Sequence, residues 1–181
     1  MKKFLFRKIL VVFLTLVGFS WGASAQTDAF NKGDMIINAG VGIGRYISYP
    51  LFSNKILPIS GSFEYSVTDL FDGKGGIGIG GYVAYTSFGD KEGLNVTVSD
   101  LIIGPRGIFH YQFIENLDTY AGFMVGYDVK SFPKSNYNLP GSELYTTFFI
   151  GARLYITKNI GVFGELGYGV SPLQLGLCYK F

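Results

Sequence analysis

Leu117-Asp118-Thr119-Tyr120-Ala121-Gly122-Phe123-Met124-Val125-Gly126-Tyr127-Asp128-Val129-Lys130 decides how this chain folds. Ala121, Phe123, Val125, Tyr127 and Val129 alternate with Tyr120, Gly122, Met124, Gly126 and Asp128. A period of two puts these sets on opposite faces of a strand. One face is wholly apolar, and the other mixes glycine with an aromatic ring, a methionine and a carboxylate.

The same scheme recurs in seven other segments. Towards the N-terminus, Met35, Ile37, Ala39, Val41 and Ile43 oppose Ile36, Asn38, Gly40 and Gly42. Ile59, Phe63, Tyr65 and Val67 then oppose Ser60, Ser62, Glu64 and Ser66, and Ile77, Ile79, Val83 and Tyr85 oppose Gly78, Gly80, Tyr82 and Ala84. Leu101, Ile103, Phe109 and Tyr111 oppose Asp100, Gly104, Arg106 and His110. Further on, Phe148, Ile150, Ala152 and Leu154 oppose Phe149, Gly151, Arg153 and Tyr155. Ile160, Val162, Leu166 and Tyr168 oppose Gly161, Glu165 and Gly167, and Leu173, Leu175, Leu177 and Tyr179 oppose Gln174, Gly176, Cys178 and Lys180. Eight such strands predict an all-β, eight-stranded antiparallel up-and-down transmembrane β-barrel.

A soluble β-sandwich also has one apolar and one polar face to each strand. Glycine separates the two readings, because it weakens a solvated strand, yet here it concentrates on the polar face. An eight-stranded barrel is just wide enough to be filled by side chains, so small residues inside make room for large ones. Glu64, Arg106, His110, Asp128, Arg153, Glu165 and Lys180 fall on that same face and are predicted to form a charge cluster in the lumen. A Lys or Arg facing lipid at the bilayer midplane costs about 2 to 4 kcal/mol. Phe and Tyr near strand ends (Tyr46, Phe88, Phe113, Tyr127, Tyr168 and Phe181) are expected to form interfacial girdles. Pro105 raises the expectation of a bulge that would flip the facing of Arg106 or of its predecessors.

Segments 46–56, 89–97 and 131–143 read as long loops, and 114–116 and 157–159 as short turns, the alternation such barrels show. Segment 68–75 is long for a turn and 170–172 short for an outer loop. A three-residue loop Lys158-Asn159-Ile160 would place Arg153 directly opposite Glu165. The lumen charges then read either as an ion-paired plug, since buried charges are costly unpaired, or as the constriction of a narrow pore for small solutes.

The first 25 residues read as a cleaved secretory signal, leaving residues 26–181 as the barrel domain. Lys2, Lys3, Arg7 and Lys8 precede an apolar run from Ile9 to Phe19 and the small-residue motif Ala23-Ser24-Ala25. The chain has 15 Lys plus Arg and 13 Asp plus Glu. Removing those four bases leaves 11 against 13, a formal net of −2, with no basic face for nucleic acid. Cys178 is the only cysteine, so no intramolecular disulfide forms, and a small packed residue is the expected reading.

The stretch from Gly151 to Gly169, with Leu177-Cys178-Tyr179-Lys180-Phe181, resembles the small porin-family outer-membrane β-barrel proteins of Gram-negative bacteria, of the OmpA/OmpX-like eight-stranded type. Gln174, Gly176, Tyr179 and Phe181 match the C-terminal assembly signal of that class. The resemblance implies location in the cell outer membrane, contact with its lipids, and insertion by the barrel-assembly machinery. It implies no single activity.

Chemistry-bearing motifs are sparse. Gly73-Lys74-Gly75-Gly76-Ile77-Gly78 has dinucleotide-binding spacing, but Ile77, Ile79 and Val83 continue as a strand where that motif needs a helix. No cofactor or metal site is expected, and no catalytic residue. His110, the one histidine, is the only residue to weigh for a lipid-modifying enzyme, and its facing puts it in the lumen. Asp90, Lys91 and Glu92 in one loop, and Lys134, Asn136, Tyr137 and Asn138 in another, are where an extracellular ligand would bind. Asn95-Val96-Thr97 has the glycosylation spacing and carries no weight. The expectation is a monomeric, non-enzymatic barrel with a structural or surface-interaction role.

Overall fold

The computed structural model describes residues 30–44, 52–90, 97–131, 141–168 and 171–181, the side chains of 52–55 and 90 excepted. The leader with Gln26, Tyr46, the Asp90 side chain, Lys91, Glu92, Asn95, Val96, Lys134, Asn136, Tyr137 and Asn138 lie outside these. The strands are β1 (Met35–Ile43), β2 (Phe52–Leu70), β3 (Gly75–Asp90), β4 (Thr97–Ile114), β5 (Leu117–Ser131), β6 (Glu143–Tyr155), β7 (Ile160–Gly167) and β8 (Leu173–Lys180). Each pairs antiparallel with the next, and β8 pairs with β1, closing the barrel. Closure of the sheet on itself removes the two free edge strands an open sheet would have.

Alternation decides the facing of every strand. Ile79, Ile103, Phe148, Ile150, Leu166 and Leu177 stand more than half exposed on the outer surface. Glu64, Arg106, His110, Asp128, Arg153, Glu165 and Lys180 are buried inside. The barrel is thus apolar outside and charged within, the reverse of a water-soluble protein. Two apolar clusters also lie inside: Tyr82, Ala84, Ile102, Ile108, Tyr120, Met124 and Phe149 towards the long loops, and Phe30, Ile36, Tyr155, Phe163 and Cys178 near the chain termini.

Glycines on the inner face make the interior fit. A methyl group on Gly151 would fall on the Tyr120 ring, and one on Gly78 would fall on the Glu64 carboxylate. Cys178 takes the packed place expected of it, its Sγ 2.9 Å from where a Cβ on Gly161 would stand.

Pro105 does not shift the register. Pairing with β5 skips Gly104 and Pro105 and resumes unchanged, with Ile103 opposite Tyr127 and Arg106 opposite Met124. Pro105 points outward opposite Gly81, and Arg106 stays inside. The overlong turn at 68–75 also resolves: β2 runs on to Leu70, and Phe71, Asp72 and Gly73 reverse the chain with left-handed φ of 55°, 55° and 85°.

Two expectations are corrected. Phe88 is no girdle residue but is 1% exposed, because the alternation that turns Tyr82, Ala84 and Thr86 inward turns Phe88 inward too. The β6–β7 hairpin turns two residues earlier in register than expected. Its loop is Thr157–Lys158–Asn159, since Ile160 already belongs to β7 and pairs with Tyr179 of β8. Thr157 Oγ1 accepts the Ile160 N–H at 3.0 Å, and Ile160 O accepts the Ile156 and Thr157 N–H groups at 2.8 and 3.0 Å, fixing the turn there. Arg153 therefore faces Phe163, and Glu165 faces Gly151.

Candidate functional site

The inward charges separate into a central network, a second layer towards the long loops, and two smaller groups near the ends. At the centre, Arg153 on β6 reaches strands on the far side of the lumen. Its Nη2 donates to Glu64 Oε2 at 2.5 Å, its Nη1 to Asp118 Oδ2 at 2.9 Å, and its Nε to Asn38 Oδ1 at 3.2 Å. Asn38 in turn donates to Ser62 Oγ at 2.8 Å. His110 lies between the same two carboxylates, with Nδ1 2.9 Å from Asp118 Oδ1 and Nε2 paired with Glu64 Oε1.

A carboxylate only accepts hydrogen bonds. An imidazole with a carboxylate at each nitrogen can donate to both only as the doubly protonated imidazolium. In that form two cations, Arg153 and His110, balance two anions, Glu64 and Asp118. Matched charge and shared hydrogen bonds are what make buried ions tolerable. The Tyr120 ring lies under the Arg153 guanidinium, 4.5 Å from its centroid, and completes the packing.

Towards the long loops lies a second layer. Arg106 Nη2 meets Glu165 Oε2 at 2.6 Å, and Tyr120 OH donates to the same oxygen at 3.3 Å. The Arg106 guanidinium stacks 3.7 Å over Phe149, a cation–π contact in a dry setting. Beyond it, Ser60 Oγ donates to Gln174 Oε1 at 2.6 Å and Gln174 Nε2 to Tyr82 OH at 2.8 Å. A cavity of about 20 Å³ remains beside Arg106, Glu165 and Gln174, room for roughly one water.

Of the predicted cluster, Glu64, His110 and Arg153 come together, and Arg106 and Glu165 form a separate pair. Asp128 and Lys180 do not join them. Asp128 Oδ2 lies 3.5 Å from Lys130 Nζ near the loop end, and Lys130 also binds Glu143 at 2.6 Å. Lys180 lies near the termini, 3.4 Å from Asp34 and over the Tyr155 ring. Sequence reasoning missed Asp118, which binds both cations of the central network. Its signal was available, since Asp118 shares the parity of Tyr120 and Met124. In the terminal pattern, Gln174 and Gly176 face in while Tyr179 and Phe181 face out.

The closed eight-stranded fold relates this barrel to others. OprG, an outer membrane protein of Pseudomonas aeruginosa, superposes with a TM-score of 0.57 at 13% identity, over 86% of this chain and 99% of that one. Ail, the attachment invasion locus protein of Yersinia pestis, superposes with a TM-score of 0.53 at 16% identity, over 83% of this chain and 99% of that one. A second structure of Ail, in complex with the heparin analogue sucrose octasulfate, gives 0.52 at 16% identity over 83% and 99%. This chain has the fold of the small outer-membrane barrels. By sequence, neither a protein-family model nor a curated protein matches it. The likeness therefore lies in the fold, at 13 to 16% sequence identity.

Proposed function

We propose that this chain is an integral outer-membrane barrel, exported by the signal at residues 1–25, that acts as a structural or surface-interaction protein and not as an enzyme. Its lumen is plugged. The observation that carries this reading is the inversion of the molecule: a closed belt of exposed aliphatic and aromatic side chains around an ion-paired interior. In water such a belt far exceeds the apolar patch a monomer tolerates, whereas hydrocarbon is its natural solvent. The belt also supports a monomer, since contact with outer-membrane lipids covers it without a partner.

The Glu64–His110–Asp118–Arg153 network and the Arg106–Glu165 pair favour the plug over the pore, because the charges neutralise one another in the space where a solute would pass. His110 faces two carboxylates in the lumen, away from acyl chains, which argues against a lipid-modifying enzyme. Function then belongs to the long loops. Ail, a protein of this fold, has been crystallised in complex with the heparin analogue sucrose octasulfate. Assembly by the insertion machinery, read through Gln174, Gly176, Tyr179 and Phe181, belongs to the same proposal.

Planar-bilayer conductance of the refolded mature chain tests it. Silence from a chain shown to be folded and inserted is the expected result. Steady channels whose conductance changes in Arg153→Ala or Arg106→Ala would replace the plug with a pore.

A further inference from the structure

Residues 30–34 precede the barrel, yet they do not trail away from it. Phe30 is 3% exposed, and its ring stacks on the His110 imidazole, with centroids 3.7 Å apart and planes 14° apart. The ring covers the central ionic network from the side where β1 starts and β8 finishes. Three features of the sequence serve to seat it there.

The first is a reverse turn. Asp34 N–H donates to Asn31 O at 3.0 Å, and Gly33 takes φ +94° at the third position, as a type II turn requires. The Asp34 carboxylate accepts the Asn31 N–H at 2.9 Å, stiffening the same turn. The second is anchorage to the end of β2: Lys32 N–H donates to Asp69 Oδ1 at 2.5 Å, and Gly33 N–H to Ser66 O at 3.0 Å. The third is space. A Cβ on Gly76 would stand 3.0 Å from the Phe30 ring and 2.8 Å from Thr68 O, so the strand is bare where the ring enters.

We infer that residues 30–34 form a hinged cork which closes the lumen at the end where β1 starts and β8 finishes, with Phe30 as the stopper and Gly33 as the hinge. In the outer-membrane orientation, short turns face the periplasm. The turns at this end are short, so the cork closes the periplasmic mouth. It belongs to no strand: withdrawing Phe30 breaks a ring stack and the hydrogen bonds of Asn31 and Lys32, but none of the eight strand pairings. Local opening of this kind needs far less free energy than unfolding. Withdrawal would expose His110, Glu64 and Asp118 to periplasmic water while the Arg106–Glu165 layer still blocks the other side. The barrel then has a vestibule opening inward and not a through channel. This inference rests on the plugged-lumen reading above.

Cys178 is a built-in reporter. It points inward and packs in one cluster with Phe30, Ile36, Tyr155 and Phe163. The experiment is alkylation of the folded mature chain in detergent micelles by iodoacetamide, followed by intact mass, for wild type, Phe30→Ala and Gly33→Val. The resistance of the folded barrel to unfolding in cold dodecyl sulfate serves as the folding control. Gly33→Val keeps the ring but disfavours the turn, and the site has open space around it. The expected result is slow labelling of wild type and a rise of roughly tenfold or more in both folded variants, as a shift in a local opening equilibrium gives.

Equally slow labelling in wild type and both folded variants would overturn the cork and leave the plugged lumen standing. Rapid labelling of wild type would also overturn the cork, since the mouth beside Cys178 would already admit reagent, while the plugged lumen is tested separately by bilayer conductance.

Discussion

Arg153 on β6 and Glu64 on β2 join across the full width of the barrel, Nη2 to Oε2 at 2.5 Å. In a closed ring of eight strands these two are diametrically opposite. The pair is thus a strut across the lumen, and Asp118 and His110 brace it from β5 and β4. Removing one partner of a buried pair leaves an uncompensated charge and costs about 3 to 5 kcal/mol. Arg153→Ala should therefore lower the stability of the folded barrel by about that much, read by urea titration in micelles or lipid vesicles. A loss under 1 kcal/mol would mean that water reaches Glu64 and Asp118 and solvates them.

The outer face of β5 predicts where charge is forbidden. Val125 points outward in mid-strand, and an arginine there costs about 2 to 4 kcal/mol at the bilayer midplane. Val125→Arg should reduce insertion into vesicles. Gly126→Arg, one residue on, should fail differently, by collision, because even a Cβ at Gly126 would stand 2.7 Å from Ile103 O. Normal insertion of Val125→Arg would refute the membrane-facing assignment of that surface.

Glycines of the two faces should respond oppositely to alanine. Gly107 points outward with nothing within 4 Å of an added Cβ, whereas at Gly151 the Cβ would meet the Tyr120 ring. Gly107→Ala is expected to be neutral or to stabilise by about 0.5 to 1 kcal/mol. Gly151→Ala should destabilise by about 1 to 3 kcal/mol, the usual cost of overpacking. Equilibrium unfolding of the two variants makes the comparison, and equal effects would contradict the crowded-lumen account.

Phe181 lies past the end of β8, its side chain exposed and its ring edge-on to Tyr179 with centroids 4.9 Å apart. If this pair belongs to the assembly signal, deleting Phe181 should slow appearance of the folded barrel in the outer membrane while export is unchanged. Pulse-chase with a heat-modifiability gel reads both. Unaltered assembly kinetics would remove Phe181 from the signal.

Alternation made most of this architecture legible. Once Val125 and Gly126 are set on opposite faces, parity carries the facing along β5, and Pro105 shows that even a missing N–H need not interrupt it. Distances across the lumen were not legible in the same way. The partner of Arg153 depended on whether the β6–β7 loop was centred on Lys158 or Asn159. A turn closed by Thr157 Oγ1 and Ile160 O moved the register by two residues. Long side chains then met partners on distant strands, Glu165 choosing Arg106 over its expected neighbour. Parity alone would have put Asp118 and Phe88 inside. The seat of Phe30, by contrast, depends on a turn and a bare strand start that no periodic pattern marks.

The ladder between β1 and β8 puts the first and last strands side by side, to the point that Phe181 N–H donates to Met35 O at 2.9 Å. This seam sets an order of events. Synthesis delivers Met35 before Phe181, so the first strand must wait, unzipped on one side, until the last has been made. Closing a loop of that length is slow, and the waiting strand exposes a sticky border throughout. Topology alone thus makes closure of this seam the last pairing the chain can complete.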